Sequence, residues 1–245
     1  MMNSNALTIA GRLMRQLGRD RRTLGLIVIV PLVVMGLIGL SFPEEGILDY
    51  IAPAMLATLA LFFSFLLTGI SFLRERSQGT MERLMASPVS RLDVVFGYLF
   101  GFFFFALAQT LIIVLFTIYV FDINFMGEIW QILVFQILVI TGSVTLGIFT
   151  STFARNEFQM VQFIPLIILP QMFLSGVLWP VEQMPDYLQW MSAAMPLTYA
   201  IDGLRDIMLY GKGLLDVGFE LAVLAGFTVV TSVLAALTLR RGAAG

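Results

Sequence analysis

The chain has 245 residues, of which 59% are hydrophobic and 12% are charged, and its formal net charge is −2. A soluble domain averages roughly 45–50% apolar and about 25% charged residues, so this composition excludes an ordinary soluble protein and indicates a surface that faces lipid. The sequence has no cysteine and no histidine. Disulfides, thiol catalysis and zinc–thiolate sites are therefore excluded, and the commonest metal ligand and proton shuttle is missing.

The first 23 residues predict an amphipathic helix. At about 100° per residue, one side of this arm is apolar and the other is basic. The apolar side holds Ala6, Leu7, Ile9, Ala10, Leu13, Met14 and Leu17, and the basic side holds Arg12, Arg15, Arg19 and Arg22. We expect an interfacial helix with its apolar face toward the acyl chains and its arginines toward anionic headgroups. The alternative is a positively charged start that only fixes the orientation of the chain.

Six segments are long and apolar enough to cross a bilayer, which needs about 20 mostly apolar residues. They are residues 24–42, 51–73, 94–121, 129–153, 158–179 and 217–239. The first resembles a signal peptide in composition, but a long basic region precedes it and no A-x-A-like site follows it. The sequence therefore predicts an all-α, polytopic membrane protein with six transmembrane helices.

Basic residues predict the orientation of these spans, because cytoplasmic loops are enriched in lysine and arginine. With six spans, the N-terminal arm, the second and fourth connections and the C-terminal tail all lie on one side. That side holds 12 of the 14 basic residues, and the other side holds Arg205 and Lys212 with eleven carboxylates. Both termini are therefore expected in the cytoplasm, at the plasma membrane of a prokaryote.

The second connection, residues 74–92, has more predicted structure than the other cytoplasmic connections. Gly79 permits a sharp change of direction, and Thr80 can begin a short helix that Pro88 ends. Ser90 with Asp93 forms an [ST]-x-x-[DE] start for the third span. The short helix is either an amphipathic linker on the bilayer or a docking element for a cytoplasmic partner.

The last outer connection, residues 180–216, is unusually apolar for a loop. It predicts two helices, the second beginning at Pro196 with an apolar face and a polar face. The polar face holds Asp202, Arg205 and Asp206, and the apolar face holds Ala200, Ile201, Leu204, Ile207 and Met208. We expect a re-entrant pair surrounded by protein or by a water-filled cavity. A helix that lies on the outer surface is the alternative.

Small and amide side chains recur within the spans. Gly97 with Gly101, and Ser143 with Gly147 and Ser151, repeat at intervals of four, which is typical of closely packed membrane helices. Six glutamines either form hydrogen bonds between helices, which we favour, or line a pathway. They are Gln109, Gln131, Gln136, Gln159, Gln162 and Gln171.

Two segments resemble the ABC-2 family, the membrane permeases of type 2 ABC exporters. One is residues 75–91, with the sequence ERSQGTMERLMASPVSR. The other comprises LSGVLWP at residues 174–180, then Met184-Pro185, then PLTYAIDGLR at residues 196–205. With the six-span layout the likeness covers essentially the whole chain. Met195 stands where the family usually has asparagine, and Tyr98 follows Gly97 where a lysine is common.

The resemblance implies a permease that pairs with a second copy of itself and carries two copies of an ATP-binding-cassette ATPase on its cytoplasmic face. ATP and magnesium would bind to the ATPase, and no cofactor to this chain. The coupling segment would use Glu75, Gly79, Thr80, Glu82, Leu84, Ser87, Pro88 and Arg91. The outer re-entrant motif would use Pro196, Leu197, Thr198, Tyr199 and Arg205. Residues 1–23 would be the connecting helix, and residues 24–245 the transmembrane domain.

Several function classes are disfavoured by what the sequence lacks. It has no G-x-x-x-x-G-K-[ST], so no P-loop binds ATP within these residues. The spans lack the central carboxylates or histidines that couple protons or sodium in a secondary transporter. No metal cluster, Ser/His/Asp set or paired buried carboxylates indicate an enzyme, and no nucleic-acid partner is expected. We expect export of a drug-like, lipid or glycan-type substrate; the alternative is a passive channel or an ATP-independent transporter.

Overall fold

In the computed structural model, residues 4–42, 46–79, 89–121, 123 and 125–241 are described, and every regular element in these ranges is a helix. The α-helices are α1 (Ser4–Arg19), α2 (Arg21–Ser41), α3 (Ile47–Ser77), α4 (Arg91–Phe121), α5 (Ile129–Ser151), α6 (Glu157–Leu174), α7 (Asp186–Ser192), α8 (Pro196–Tyr210) and α9 (Gly218–Arg241). A short 3-10 helix, Val181–Gln183, precedes α7. The predicted all-α class is confirmed.

Six of these helices, α2 to α6 and α9, are long and apolar enough to span a membrane. The six predicted spans are confirmed, and the chain is a multi-pass membrane protein. Most ends differ from the prediction by a few residues, and the largest differences are in α3 and α6. Helix α3 begins at Ile47 and ends at Ser77, four residues beyond each predicted end, and α6 ends at Leu174, before the predicted residue 179. Helix α6 stops because Gly176 has a φ of +77°, a left-handed conformation that interrupts a helix.

Helix α3 occupies the centre of the bundle. In its most apolar stretch 78% of the residues are buried, against 17% in α9. It packs against α2, α4, α5, α6 and α8. Its approach to α5 is close, because a Cβ added at Gly147 would lie 2.8 Å from the carbonyl oxygen of Phe65. The predicted packing role of this small residue is confirmed.

Helix α1 packs on α4 through its apolar side. Ile9 and Leu13 lie directly over Gly97 and Gly101, where an added Cβ would come within 2.7 and 2.5 Å of their side chains. Ala6, Ile9, Ala10, Leu13 and Leu17 are buried. The predicted orientation of this face toward acyl chains is therefore wrong for these residues, which bury their apolar surface against protein instead. Leu7 belongs to the same predicted face, and its side chain is exposed.

The glutamines do not join the spans to one another in the described part of the chain, so that prediction is wrong. Gln109 and Gln136 are buried, and neither amide has a hydrogen-bond partner among the described residues. Gln131 and Gln159 instead accept hydrogen bonds from backbone N–H groups at the starts of their own helices. Gln171 donates to the carbonyl of Ile167, one turn earlier in the same helix.

Candidate coupling site and outer helical pair

The structure describes three of the eight predicted coupling residues. Glu75 lies in the last turns of α3, Gly79 follows that helix, and Arg91 begins α4. The other five lie outside the described residues: Thr80, Glu82, Leu84, Ser87 and Pro88. Gly79 has a φ of +68°, and its N–H donates to the carbonyl of Arg76 at 3.2 Å. This left-handed φ is a conformation that glycine adopts readily, and the direction of the chain beyond it lies outside the described residues.

The start of α4 has the predicted capping arrangement. The N–H of Ser90 donates to Oδ2 of Asp93 at 3.0 Å, and the N–H of Asp93 donates to Oγ of Ser90 at 3.1 Å. These reciprocal bonds satisfy two backbone donors that a helix start would otherwise leave free. The chain therefore re-enters the bundle at a defined position after residues 80–88.

Glu75 is buried beneath α1 rather than exposed at the end of α3. Nη2 of Arg12 lies 2.9 Å from its Oε2 and also donates to the hydroxyl of Tyr98 at 3.4 Å. The Tyr98 ring in turn meets the edge of Phe72, with centroids 4.8 Å apart. A carboxylate with a side-chain exposure of 5% needs a counter-charge. The Arg12–Glu75–Tyr98 contact thus joins α1, α3 and α4.

Arg74 and Arg76 flank Glu75 and contact two further helices. Arg74 forms a two-bonded pair with Glu157 of α6, at 2.6 and 3.2 Å. Arg76 donates to the backbone carbonyls of Ser151, Thr152 and Ala154, where α5 ends, at 3.4, 2.8 and 3.1 Å. An arginine at a helix C-terminus satisfies carbonyls that lack an intrahelical partner. These bonds hold the last turns of α3 against the end of α5 and the start of α6.

Sequence reasoning missed the partners at this end of α3. The sequence predicts that Arg12 faces headgroups, counts Arg74 and Arg76 only for the charge balance, and gives no role to Glu157. One signal pointed to the cluster: Tyr98 carries a hydroxyl near the start of its span and departs from the usual family residue. A buried hydroxyl needs a hydrogen-bond partner, and the polar residues of α1 and α3 include candidates for it.

The outer segment forms the two predicted helices, α7 and α8, packed at a tight corner. Pro196 is the first residue of α8, where a missing N–H costs nothing, and Leu197 is buried. Oγ1 of Thr198 donates to the carbonyl of Ser192 at 2.9 Å. The hydroxyl of Tyr199 donates to the carbonyl of Ala193 at 2.7 Å. These two bonds fasten the start of α8 to the end of α7.

Arg205 is buried, which corrects its predicted place on a polar outer face. Its Nη2 donates to the carbonyl of Gly176 at 2.8 Å. Its guanidinium carbon lies 4.1 Å from the centroid of the Tyr50 ring, a cation–π contact. Arg205 thus joins the LSG motif after α6, the PLTY motif of α8 and the outer start of α3, and it brings the two motifs together.

Two carboxylates of α8 differ in their surroundings. The pKa of Asp202 rises to about 6, chiefly because surrounding protein withholds water from the carboxylate. The same loss of water lowers the pKa of Arg205. Asp206 bonds Nζ of Lys212 at 2.9 Å, which raises the pKa of that lysine. Its backbone carbonyl also accepts from the N–H of Lys212 at 3.0 Å, closing the end of α8.

Across the described ranges, no group of three or more Asp and Glu side chains is arranged to hold a metal ion. The structure instead has two contact clusters, one around Glu75 and one around Arg205. They consist of ion pairs, hydrogen bonds to backbone carbonyls and contacts with aromatic rings. What this arrangement can do is hold helices together at defined points on each side of the bundle.

Comparison with known proteins gives the family. The family model of the ABC-2 type transporter matches residues 5–209. The chain belongs to the ABC-2 type transporter family. The match runs from α1 to the end of α8, so it includes both contact clusters described above.

Individual ABC-2 relatives come from distant organisms. The chain is 30% identical over 172 residues to ABC transporter G family member 20 of Dictyostelium discoideum, covering 70% of this chain and 24% of that protein. It is 23% identical to the probable multidrug ABC transporter permease YbhS of Escherichia coli (strain K12), covering 66% and 44%. It is 27% identical to the linearmycin resistance permease protein LnrN of Bacillus subtilis (strain 168), covering 66% and 42%. The chain therefore spans less than half the length of these relatives.

Proposed function

We propose that this chain is the membrane permease subunit of an ATP-binding-cassette exporter, powered by ATP that a separate ATPase subunit hydrolyses. The observation that carries the proposal is membership of the ABC-2 family over residues 5–209. The working unit has two copies of this chain and two ATPase copies, because six spans in one copy leave a pathway open on one side. The weakly buried spans α2, α6 and α9 offer the surface for a second copy or for lipid.

Energy enters this permease mechanically. No P-loop lies within the 245 residues, and no ionisable residue lies near the centre of a span. The driving free energy must therefore come through contact with the ATPase. We place that contact on residues 79–91, including Thr80, Glu82, Leu84, Ser87 and Pro88. This segment leaves the bundle at the bonded end of α3 and re-enters at the capped start of α4.

The outer helical pair closes the pathway on the outside, and both termini lie in the cytoplasm of a prokaryote. Arg205 supports the first statement, because it holds α8 to the outer ends of α3 and α6. Exposed Arg15 and Arg19 support an α1 that lies along the inner membrane interface, with its apolar side on α4 and its arginines toward headgroups.

The substrate is a drug-like, lipid or glycan-type molecule. Two relatives are named for multidrug transport and for linearmycin resistance, which favours a drug-like compound.

The test is co-purification of the ATPase together with ATP hydrolysis in lipid nanodiscs. Gly79→Pro should abolish ATPase binding while the spans stay inserted, because proline cannot adopt the φ of +68° that Gly79 has. Leu84→Asp should do the same by placing a charge on the docking helix. Mass measurement of the intact complex should give two copies of each subunit.

Arg155→Gln is the matched control, since its side chain is exposed in the other cytoplasmic connection and bonds to no described residue. It should leave binding and hydrolysis unchanged. If Gly79→Pro and Leu84→Asp complexes bind the ATPase and hydrolyse ATP like the unmodified one, the coupling assignment is wrong. A passive channel or an ATP-independent transporter then becomes the better reading.

A further inference from the structure

Three consecutive residues at the cytoplasmic end of α3 bond to three different helices. Arg74 pairs with Glu157 at the start of α6. Glu75 pairs with Arg12 of α1. Arg76 donates to the carbonyls that end α5. Consecutive residues of a helix are about 100° apart, so these three side chains reach neighbours around more than half of its circumference.

We propose that Arg74, Glu75 and Arg76 are positioning residues that make α1, α5 and α6 follow the cytoplasmic end of α3 during the transport cycle. This inference rests on the proposed function, in which force from the ATPase enters at residues 79–91. Only Ser77 and Gln78 separate the three residues from Gly79, where that segment leaves α3. A displacement of the segment therefore acts first on the bonded end of α3.

The chemistry of each contact suits transmission. The guanidinium of Arg74 meets both carboxylate oxygens of Glu157, and two parallel bonds resist rotation as well as separation. The carboxylate of Glu75 is buried, so parting from Arg12 would leave an unpaired charge away from water. Two nitrogens of Arg76 bond three carbonyls, a planar arrangement that a lysine cannot reproduce.

The test replaces one contact by a covalent link. The chain has no cysteine, so Arg74→Cys with Glu157→Cys gives one reactive pair, to be joined by a short bifunctional methanethiosulfonate. The complex, with a cysteine-free ATPase, is placed inside out in liposomes that hold iodide in the lumen. Tryptophan quenching reports on the outer side, because Trp130, Trp179 and Trp190 are the three tryptophans and all are exposed.

In the unlinked pair, we expect the ATP-dependent change in tryptophan quenching to be smaller than in the unmodified complex by about threefold or more. This is the size of effect seen for mutations that disturb coupling. The linker should restore it to within about twofold of the unmodified complex. The matched control is Arg155→Cys with Glu157→Cys, which loses the same Glu157 contact. Its link joins residues 155 and 157 and does not reach α3, so the linker should restore nothing.

Two results would overturn the inference. A full response in the unlinked pair means that the Arg74–Glu157 contact is not needed. A linked pair that responds less than the unlinked one means that α3 and α6 must separate during the cycle. A complex whose unmodified form neither binds the ATPase nor responds to ATP contradicts the proposed function itself. That result is distinguishable, because it precedes any comparison of variants.

Discussion

Arg205 joins α8 to two other parts of the molecule. Its side chain is buried. The guanidinium donates to one backbone carbonyl, contacts one aromatic ring and lies near Asp202. A buried guanidinium contributes to stability only through such contacts, since the loss of its hydration is costly. Its two contacts reach α3 and the segment after α6, so removing either one should loosen α8 from the bundle.

Replacing Arg205 by Met should lower the free energy of unfolding by about 2 kcal/mol, because the carbonyl of Gly176 loses a charged donor. Tyr50→Leu should cost about 1 kcal/mol through loss of the cation–π contact. Unfolding in mixed detergent micelles measures both. Tyr50→Phe keeps the ring and is the control, so a loss with Phe as large as with Leu would show that the ring is not what matters.

Asp202 should make stability depend on pH. Its pKa rises to about 6 in the folded protein from an ordinary value near 4. An acid with a raised pKa is protonated more readily when folded, so its favourable contribution is complete below pH ~4 and is lost as pH rises through about 6. Solvent screens part of the effect, because Asp202 is itself an exposed residue at the surface of α8, so the difference in stability should be small.

Asp202→Asn should therefore be more stable than the unmodified protein at pH 7.5 and equal to it near pH 4, by thermal unfolding in detergent. Asp186→Asn on α7 serves as the control for removing an exposed acid from the outer side. A constant difference between the Asp202→Asn and unmodified proteins across this pH range would contradict the assignment.

At the scale of elements, the packing of α1 on α4 depends on two glycines that differ in how much space an added Cβ would find. An added Cβ at Gly97 would meet Cβ of Ile9 at 2.7 Å and the carbonyl oxygen of Ala6 at 3.0 Å, neither of which is the mobile end of a side chain. At Gly101 the nearest atom is Cδ2 of Leu13, which can turn away. Gly97 is therefore the stricter of the two positions.

Gly97→Ala should destabilise the protein by about 1–3 kcal/mol, and Gly101→Ala by less. Unfolding in mixed micelles gives these values, and protease cleavage of α1 gives an independent readout of its release. The control is Gly11→Ala, where no atom lies within 4 Å of the added Cβ. An equal response at Gly97 and Gly11 would mean that α1 is not seated as described.

The buried amides of α4 and α5 lead to a second prediction at this scale. Because Gln136 has no partner for its oxygen or nitrogen among the described residues, Gln136→Met should raise the free energy of unfolding by about 1 kcal/mol. Gln131→Met is the control and should lower it by about 1 kcal/mol, since Gln131 completes the cap of α5. A loss of stability in Gln136→Met would reveal a partner such as an internal water.

At the scale of the whole molecule, orientation can be tested cleanly because the chain has no cysteine. Ser77→Cys and Gln183→Cys place single thiols at exposed positions on opposite ends of the bundle. A membrane-impermeant maleimide should label position 183 in intact cells and position 77 only after permeabilisation. Labelling of position 77 from outside would reverse the orientation that the arginines indicate.

The helices could be predicted from the sequence, but most contacts between them could not. Apolar length predicted the spans, and proline and capping residues predicted the starts of α8 and α4, because these are local properties of the chain. The Arg12–Glu75 pair joins residues 63 positions apart, and the bond from Arg205 to Gly176 spans 29. Neither has a periodic signature, so the sequence placed both arginines on exposed faces.

The position of α3 has a mechanical consequence for the order of events in transport. Tyr50, held by Arg205 at the outer side, and Arg74, bonded at the inner side, are about 36 Å apart along one continuous helix. On the proposed function, in which force enters beyond Gly79, this helix can act as a lever that turns about Tyr50. A tilt of about 5° about that pivot displaces the inner end by about 3 Å and hardly moves the outer one. On the proposed function and orientation, the cytoplasmic end of α3 can then rearrange while the outer end stays closed, and the outer end opens only when the contact between Arg205 and Tyr50 is broken.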